Sequence, residues 1–237
     1  MRNTTALVTG ANRGLGRAFA LALLQRGAKT VYAAARDPRT VTDPGLTPVA
    51  LDITDPAQVA AAAELCSDTS LLLNNAGILR GSSLIGTDSL EGARAELETN
   101  LFGTLAMCRA FAPVLARNGG GAVVNMLSVL SWHTLPQVGS YGVSKAAALS
   151  MTNAIREELR PQGTLTVAVH AAFIDTDMAA GVDQPKTSPV DVAHQVLDAV
   201  EAGREEVLAD ALTRQVKAAL SGTSGASGVT EVSRATR

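Results

Sequence analysis

The chain has 237 residues, of which 46% are hydrophobic and 18% are charged, and its formal net charge at pH 7 is −2. This composition excludes an intrinsically disordered chain, and the length suits one α/β domain with a substantial core. The near-neutral charge, without a basic block, argues against a surface for nucleic acid or anionic membranes. With no signal-peptide pattern, no bilayer-spanning apolar run and only two cysteines, we expect a cytoplasmic protein with reduced thiols.

The first predicted element is a buried strand over Thr4 to Thr9, which leads into the glycine-rich turn Gly10-Ala11-Asn12-Arg13-Gly14-Leu15-Gly16 and a helix over Arg17 to Arg26. Strand, glycine turn and helix in this order are typical of a dinucleotide site. Residues without a Cβ let the backbone approach a pyrophosphate at the positive end of the helix. Taken alone, the turn could also be only a tight connection.

The second predicted strand, Thr30 to Ala35, ends without the acid that NAD-selecting enzymes place there for the ribose 2′-hydroxyl. Arg36 follows the strand instead, and Arg13 lies in the glycine turn. Two guanidinium groups suit a 2′-phosphate through charge-assisted, often bidentate hydrogen bonds, which favours NADP over NAD. Asp37 leaves an alternative open, because its carboxylate can pair with Arg36 or bind a ribose hydroxyl itself.

Strands and helices continue to alternate in the middle of the chain. A strand over Pro48 to Leu51 leads to Asp52-Ile53, which by itself reads as a turn before a helix over Pro56 to Leu65. A strand over Leu71 to Leu73 then runs into Asn74-Asn75-Ala76-Gly77. Small residues at the carboxyl end of such a strand help to shape the crevice in which open α/β sheets bind ligands.

A long helical region is predicted from Ser89 to Arg117, with Asn100 inside it. An Asn in the middle of a helix is mildly unfavourable, so by itself this one reads as a polar surface residue. A strand over Ala122 to Leu127 then delivers Ser128 at its carboxyl end. In the loop that follows, Trp132 is either a wall of the substrate site or a loop anchor.

Tyr141 and Lys145 lie four residues apart in an Ala-rich helical segment, so both side chains leave the same helix face. An ammonium group beside a phenol favours phenolate and is expected to lower the phenol pKa from its usual value of about 10. A phenol tuned in this way exchanges protons near neutral pH. The alternative is an ordinary solvated helix surface.

The C-terminal part is predicted to contain a strand over Leu165 to Val169, a helix over Val190 to Ala202, a strand over Glu206 to Ala209 and a helix over Thr213 to Leu220. The alternation along the chain predicts a doubly wound, Rossmann-type parallel sheet in a single α/β domain over residues 1–220. The Gly/Ser/Thr-rich residues 221–237 are predicted to form a flexible tail.

These motifs together resemble the short-chain dehydrogenase/reductase family. The match comprises Thr9 to Gly16, the Asn-Asn-Ala-Gly segment, Thr99-Asn100-x-x-Gly103, and the Ser128, Tyr141 and Lys145 set in the family's order and spacing. The resemblance extends from about Thr5 to Met178. It departs from the family at Ala171-Ala172, where Pro-Gly is usual, which leaves the path of that loop open.

The resemblance implies that Ser128 binds the substrate oxygen, that Tyr141 is the proton donor and that Lys145 lowers the Tyr141 pKa and holds the ribose. Asn100 is implied to bend its helix and to anchor a proton-relay water. Asp52 and Ile53 are implied to contact the adenine, and Ile174 and Thr176 are implied to contact the nicotinamide side of the cofactor. The predicted cofactor contacts are Gly10, Asn12, Arg13, Gly14, Leu15, Gly16, Arg36, Asp52, Ile53, Asn75, Ala76, Gly77, Tyr141, Lys145, Ile174 and Thr176.

The function implied by the resemblance is reversible hydride transfer between NADP(H) and a small-molecule carbonyl or alcohol, with reduction of an aldehyde or ketone as the favoured direction. An NADP-binding sensor or scaffold without turnover is the alternative. No residues are assigned as metal ligands. The helices around Asn100 and after Tyr141 are expected to pair across a two-fold axis in a homodimer or homotetramer.

Overall fold

The protein, seen in a computed structural model that describes residues 1–221, is built on a sheet of seven parallel strands. The strands are β1 (Thr5–Thr9), β2 (Thr30–Ala35), β3 (Thr47–Ala50), β4 (Leu71–Asn74), β5 (Ala122–Met126), β6 (Leu165–His170) and β7 (Glu206–Leu208). Their spatial order is β3-β2-β1-β4-β5-β6-β7. This order confirms the predicted doubly wound sheet.

Helices cover both faces of the sheet, as the crossover connections of a parallel sheet require. The helices are α1 (Gly14–Gln25), α2 (Pro56–Leu65), α3 (Glu91–Leu97), α4 (Thr104–Arg117), α5 (Gly139–Leu159), α6 (Pro189–Glu201) and α7 (Ala211–Ser221). On one face α1 packs against α6 around side chains such as Phe19 and Leu197, and on the other face α2, α4 and α5 surround Phe111 and Leu115. All four of these side chains are fully buried.

The direction of winding reverses beside β1, which pairs with β2 on one side and with β4 on the other. Ligands of open α/β sheets bind in the crevice outside the carboxyl ends of the strands at this switch point. The segments that leave β1 and β4 begin with Gly10 and Asn75, and both are predicted site residues. The topology therefore brings two of the predicted motifs to the same edge of the sheet.

The predicted helix over Ser89 to Arg117 is interrupted in the structure. A π-helical segment, Glu98–Gly103, separates α3 from α4 and contains Asn100. Such a segment inserts an extra residue into the helix and turns the side chains after it to a new direction. The helical region predicted over Ser89 to Arg117 is therefore present from Glu91 to Arg117, with a π-helical segment at Asn100.

The helix predicted over Thr213 to Leu220 is present as α7, over Ala211–Ser221. Residues 222–237, on which the prediction of a flexible tail depends, lie outside the described residues. No helix within residues 1–221 combines the length and apolar character needed to cross a membrane.

Candidate active site

The glycine turn after β1 forms a cradle into which no further side chain fits. A Cβ placed on Gly16 would lie 2.1 Å from the carbonyl oxygen of Gly10, far inside van der Waals contact. Gly10 and Gly14 have φ angles of +65° and +53°, in the left-handed region that favours glycine. The backbone is thus brought close to the beginning of α1, as an approach by a pyrophosphate requires.

The N-terminus of α1 is suited to an anion. Arg13 occupies the N-cap position in an extended conformation without a side-chain cap, and the first turn of the helix contains no acidic residue. The first backbone N–H groups of the helix therefore keep their hydrogen-bonding capacity, at the positive end of the helix dipole. Asn12 is half-buried in the turn, whereas Leu15 points into the core.

Hydrogen bonds tie the cradle to the segment that leaves β4. The Asn75 side-chain amide donates to the Thr9 carbonyl oxygen at 2.9 Å and to the Gly10 carbonyl oxygen at 3.3 Å. The Thr9 hydroxyl accepts the backbone N–H groups of Asn75 and Ala76, both at 3.0 Å. Thr9, Asn75 and Ala76 therefore hold the two edges of the crevice at a fixed separation.

The basic residues predicted to meet a 2′-phosphate differ in their surroundings. Arg36, at the end of β2, is exposed and has no ion pair or hydrogen bond within the described part of the chain. Arg13 pairs with Asp177 at 2.7 Å, with both side chains largely exposed. Asp37 pairs with Arg39 rather than with Arg36, and its carboxylate lies 2.9 Å from that guanidinium group. Arg36 is therefore available to an anion.

Asp52 forms the turn that the sequence predicts before α2. One carboxylate oxygen accepts the backbone N–H and the hydroxyl of Thr54, at 2.9 and 2.7 Å, which makes a turn before α2. The helix itself is capped by Asp55, not by Asp52. Ile53 is buried and leaves no room for a side chain at Gly103, where a Cβ would lie 2.8 Å from the Ile53 side chain.

The segment after β6 approaches the cradle. A Cβ on Gly14 would lie 3.3 Å from the Thr176 side chain, so the predicted nicotinamide-side residue Thr176 faces the start of α1. Ile174 makes a parallel bridge to Thr187. Where the family has Pro-Gly, the backbone N–H of Ala172 donates to Asp210 at 2.8 Å, which anchors this segment from the C-terminal side.

Asn100 joins the segment after β4 to α5. Its side chain accepts the Ile78 N–H and donates to the Ile78 carbonyl oxygen, both at 2.9 Å, and it donates to the Ser144 hydroxyl at 3.0 Å. The side chain is 2% exposed, so the interpretation as a surface residue is wrong. A Cβ on Gly77 would lie 3.1 Å from the Asn100 side-chain oxygen and 3.8 Å from the Lys145 ammonium.

Ser128, Tyr141 and Lys145 converge where β5 ends against the first turns of α5. All three side chains are buried, and the Ser128 hydroxyl is near enough to Tyr141 to affect the pKa of its phenol. The Lys145 ammonium donates to the carbonyl oxygen of Met126, the last residue of β5, at 2.8 Å and lies 5.6 Å from the centre of the Tyr141 ring. The predicted catalytic set is thus assembled in one place.

The prediction that Lys145 lowers the Tyr141 pKa is wrong in this structure. Burial raises the pKa of the Tyr141 phenol, the carboxylate of Glu96 raises it further, and the Ser128 hydroxyl only partly offsets both. Burial also lowers the pKa of Lys145 to about 8. A four-residue spacing predicts which helix face two side chains share, but burial decides which charges they carry.

Glu96 is a site residue that the sequence does not reveal. It is fully buried, one of its carboxylate oxygens accepts the backbone N–H groups of Arg80 and Gly81 at 2.7 and 3.2 Å, and the other has no partner among the described residues. Its charge acts on Tyr141. Its neighbour Glu98 is exposed, so the helix sequence gives no signal that separates the two.

This geometry defines a nucleotide-binding α/β protein with a serine, tyrosine and lysine set beside the glycine cradle, and comparison with known proteins identifies the family. The family model for short chain dehydrogenases matches residues 4–187, so the chain belongs to the short-chain dehydrogenase family. This confirms the family predicted from the motifs.

Individual relatives agree with this assignment. The chain is 33% identical over 225 residues to the short chain dehydrogenase tazN of Aspergillus terreus, an alignment that covers 88% of this chain and 48% of the relative. The chain therefore spans about half the length of that relative. A Burkholderia cenocepacia short chain dehydrogenase crystallised with NADP is 43% identical, with a TM-score of 0.90 and coverage of 94% of each chain.

A third comparison is with an NADPH-bound carbonyl reductase from chicken fatty liver. It is 27% identical, with a TM-score of 0.77, and the alignment covers 84% of this chain and 92% of the reductase.

The cradle gives a direct stability prediction. Gly16→Ala is expected to lower the free energy of unfolding by about 1–3 kcal/mol, because its Cβ collides with backbone that has no room to move. Gly181→Ala is the matched control, since a Cβ there meets no atom within 4 Å. Urea denaturation measures both changes, and equal stability of the two variants would contradict the close approach.

Proposed function

We propose that this chain is an NADP(H)-dependent oxidoreductase that reduces an aldehyde or ketone to an alcohol. The observation that carries the proposal is the meeting of Ser128, Tyr141 and Lys145 at the end of β5, on the same edge of the sheet as the glycine cradle. The NADP-bound and NADPH-bound relatives support the choice of cofactor, and the carbonyl reductase supports the class of substrate.

When bound, NADPH supplies the hydride, and the residues of this chain hold the carbonyl and provide the proton. The Ser128 hydroxyl holds the substrate oxygen beside Tyr141. The raised pKa of Tyr141 keeps its phenol protonated at neutral pH, ready to donate to the oxygen as negative charge develops there. A protonated phenol suits reduction, whereas oxidation of an alcohol requires the phenolate.

Lys145 remains mostly protonated at pH 7, because its pKa of about 8 lies above that pH. Its ammonium has hydrogen-bonding capacity beyond the bond to Met126, with which it can bind ribose hydroxyls and favour recovery of the proton by Tyr141. Asn100 positions α5 through its bond to Ser144 and positions the segment after β4 through its bond to Ile78. We assign it this positioning role together with the relay-water role implied by the family.

Selection of NADP is proposed to depend on Arg36, with a contribution from Arg13. The β2 strand ends at Ala35 without an acid to bind the 2′-hydroxyl, and Asp37 is already paired with Arg39. Arg13 must give up or share its pairing with Asp177 to reach a phosphate, so Arg36 carries the larger share. Asp52 and Ile53 are proposed to border the adenine.

We further propose a cytoplasmic homodimer or homotetramer assembled through α4 and α5. Phe102 is 54% exposed and Val143 is 45% exposed, and an apolar groove between α2 and α4 continues this surface. Apolar area of this kind is typical of a subunit interface.

The proton-donor role is tested by Tyr141→Phe. With the cofactor still bound, turnover is expected to fall on the order of 10²–10⁴-fold, because the variant loses the proton donor while it keeps the ring. Loss of NADPH absorbance with a panel of aldehydes and ketones measures this, and NADPH fluorescence verifies binding. A variant with near-full turnover would contradict the assignment. A wild-type protein that binds NADPH but reduces no member of the panel would favour a sensor or scaffold.

Cofactor selectivity is tested by Arg36→Ala. We expect the KM for NADPH to rise roughly 10- to 100-fold and the KM for NADH to change little, since the lost contact is a charge-assisted hydrogen bond to the 2′-phosphate. Arg39→Ala is the control, because this neighbouring exposed guanidinium is paired with Asp37. An equal effect on both cofactors would refute the assignment of Arg36.

The pH dependence is tested by Glu96→Gln. The carboxylate disfavours the Tyr141 phenolate, so its removal lowers the Tyr141 pKa and is expected to move the inflection for alcohol oxidation to lower pH. Glutamine retains an oxygen that can accept the Arg80 and Gly81 N–H groups. Glu98→Gln serves as the exposed control and is expected to leave the inflection in place. The same inflection in wild type and Glu96→Gln would contradict the electrostatic role.

The assembly is tested by light scattering after size-exclusion chromatography. Wild type is expected to elute with at least twice the chain mass of 24.3 kDa, and Phe102→Glu is expected to shift it toward the monomer by burying a charge in the interface. Leu65→Glu is the control, because Leu65 is an exposed apolar residue of α2 outside the groove lining. A monomeric wild type would rule the proposal out.

A further inference from the structure

Three side chains from distant parts of the chain gather behind Ser128. His170, the last residue of β6, is fully buried and stacks on Trp132 with ring centres 3.8 Å apart and an angle of 21° between the rings. The Lys217 ammonium, from α7, lies 4.5 Å from the centre of the Trp132 ring. We call His170, Trp132 and Lys217 the Trp132 stack. These contacts anchor Trp132 in its loop.

The stack is bonded directly to the backbone of Ser128. His170 Nδ1 lies 3.2 Å from the Ser128 carbonyl oxygen. Because a carbonyl oxygen only accepts, Nδ1 must carry the proton and Nε2 must lack it in the neutral ring. Burial lowers the pKa of His170 to about 4, so the ring is neutral at neutral pH and has one defined tautomer.

The far end of the stack is held by an ion pair between α7 and β7, in which the Lys217 ammonium donates to the Glu206 carboxylate at 2.8 Å. The same carboxylate oxygen lies 3.9 Å from His170 Nε2, which carries no proton in the neutral ring and makes no ion pair with it. A second connection runs in parallel, since Asp210 caps α7 at the Thr213 N–H and accepts the Ala172 N–H, both at 2.8 Å. The C-terminal helix is therefore coupled to two segments of the site.

The residues on both sides of Ser128 are bonded to β6 and the segment after it, since the Leu127 N–H donates to the Val169 carbonyl oxygen at 2.8 Å and the Val129 N–H to the Ala171 carbonyl oxygen at 2.9 Å. The hydrogen bonds of Ser128 itself are more local. Ser128 follows the end of β5, its side chain accepts the Leu130 N–H at 3.1 Å, and its carbonyl oxygen accepts the Ser131 N–H at 3.0 Å. All of these contacts lie within one short turn. Among the described residues, the side chain that reaches the Ser128 carbonyl oxygen from outside this turn is the His170 ring.

From this arrangement we propose that the Trp132 stack positions Ser128 for the reaction, with His170 as the positioning residue and α7 as the element that holds the stack in place. His170 acts through Ser128 and does not touch the substrate. The inference rests on the proposed function, because the serine hydroxyl is the group whose placement matters there.

The first test uses His170→Phe, which keeps a stacking ring and removes the donor to Ser128. Hydrogen–deuterium exchange of the full chain is expected to be faster over residues 128–133 and unchanged in the core strands. His170→Asn, which keeps a donor, is expected to exchange more slowly there than His170→Phe. This readout needs no turnover, so it remains decisive if the proposed reductase activity fails. Unchanged exchange over 128–133 in His170→Phe would overturn the proposal.

The second test is a double-mutant cycle with Ser128→Ala. His170→Phe alone is expected to lower kcat about tenfold with little change in the KM for NADPH, a size appropriate to one hydrogen bond. If His170 acts through the serine hydroxyl, the same change in the Ser128→Ala background has almost no further effect. Equal factors in both backgrounds would show that His170 acts elsewhere and would overturn the proposal.

The role of α7 is tested by Lys217→Met against Gln215→Met, an exposed position on the same helix. Trp132 is the single tryptophan of the chain, so its fluorescence reports on the stack alone. Lys217→Met is expected to change the emission and to lower kcat two- to fivefold, on the scale of one cation–π contact, whereas Gln215→Met changes neither. Indistinguishable variants would remove α7 from the proposal.

Discussion

The hydrogen bond from the Lys145 ammonium to the Met126 carbonyl oxygen is the contact on which the site depends. It joins the carboxyl end of β5 to the second turn of α5 with a buried charge, and such a charge is costly unless it is bonded. With these two elements held together, the Ser128 and Tyr141 hydroxyls meet at the sheet edge that also carries the glycine cradle. Loss of this contact would separate the proton donor from the place where a nucleotide can bind.

Around this contact, buried polar side chains hold neighbouring backbone segments in place through hydrogen bonds. Asn100 and Glu96 lie one turn apart and hold the segment that leaves β4 by its backbone groups at Ile78, Arg80 and Gly81. His170 holds the Ser128 backbone from the other side. Hydrogen bonds from buried side chains to backbone groups fix the path of these segments more specifically than apolar packing does. The substrate region is therefore framed by fixed backbone on both sides of the catalytic pair.

Local patterns predicted the parts of the structure that local physics determines. The glycine turn, the limits of β2 and α2, and the shared face of Tyr141 and Lys145 follow from backbone sterics, helix capping and helical period. The sign of the Tyr141 pKa shift could not be predicted from local patterns, because it depends on burial and on Glu96. The sequence does not distinguish the buried Glu96 from its exposed neighbour Glu98. The Trp132 stack was equally hidden, since its three members meet only after β6 and α7 have packed.

The central claim is that hydride passes from NADPH to a carbonyl held beside Tyr141. The most direct measurement incubates the full chain with NADPH that carries deuterium on the transferable position of the nicotinamide, together with a panel of aldehydes and ketones, and analyses the products by mass spectrometry. The account predicts an alcohol with deuterium on its carbinol carbon, formed on the order of 10²–10⁴-fold more slowly when Tyr141→Phe replaces the wild type. A wild-type protein that binds the cofactor and yields no labelled alcohol from any member of the panel would contradict it.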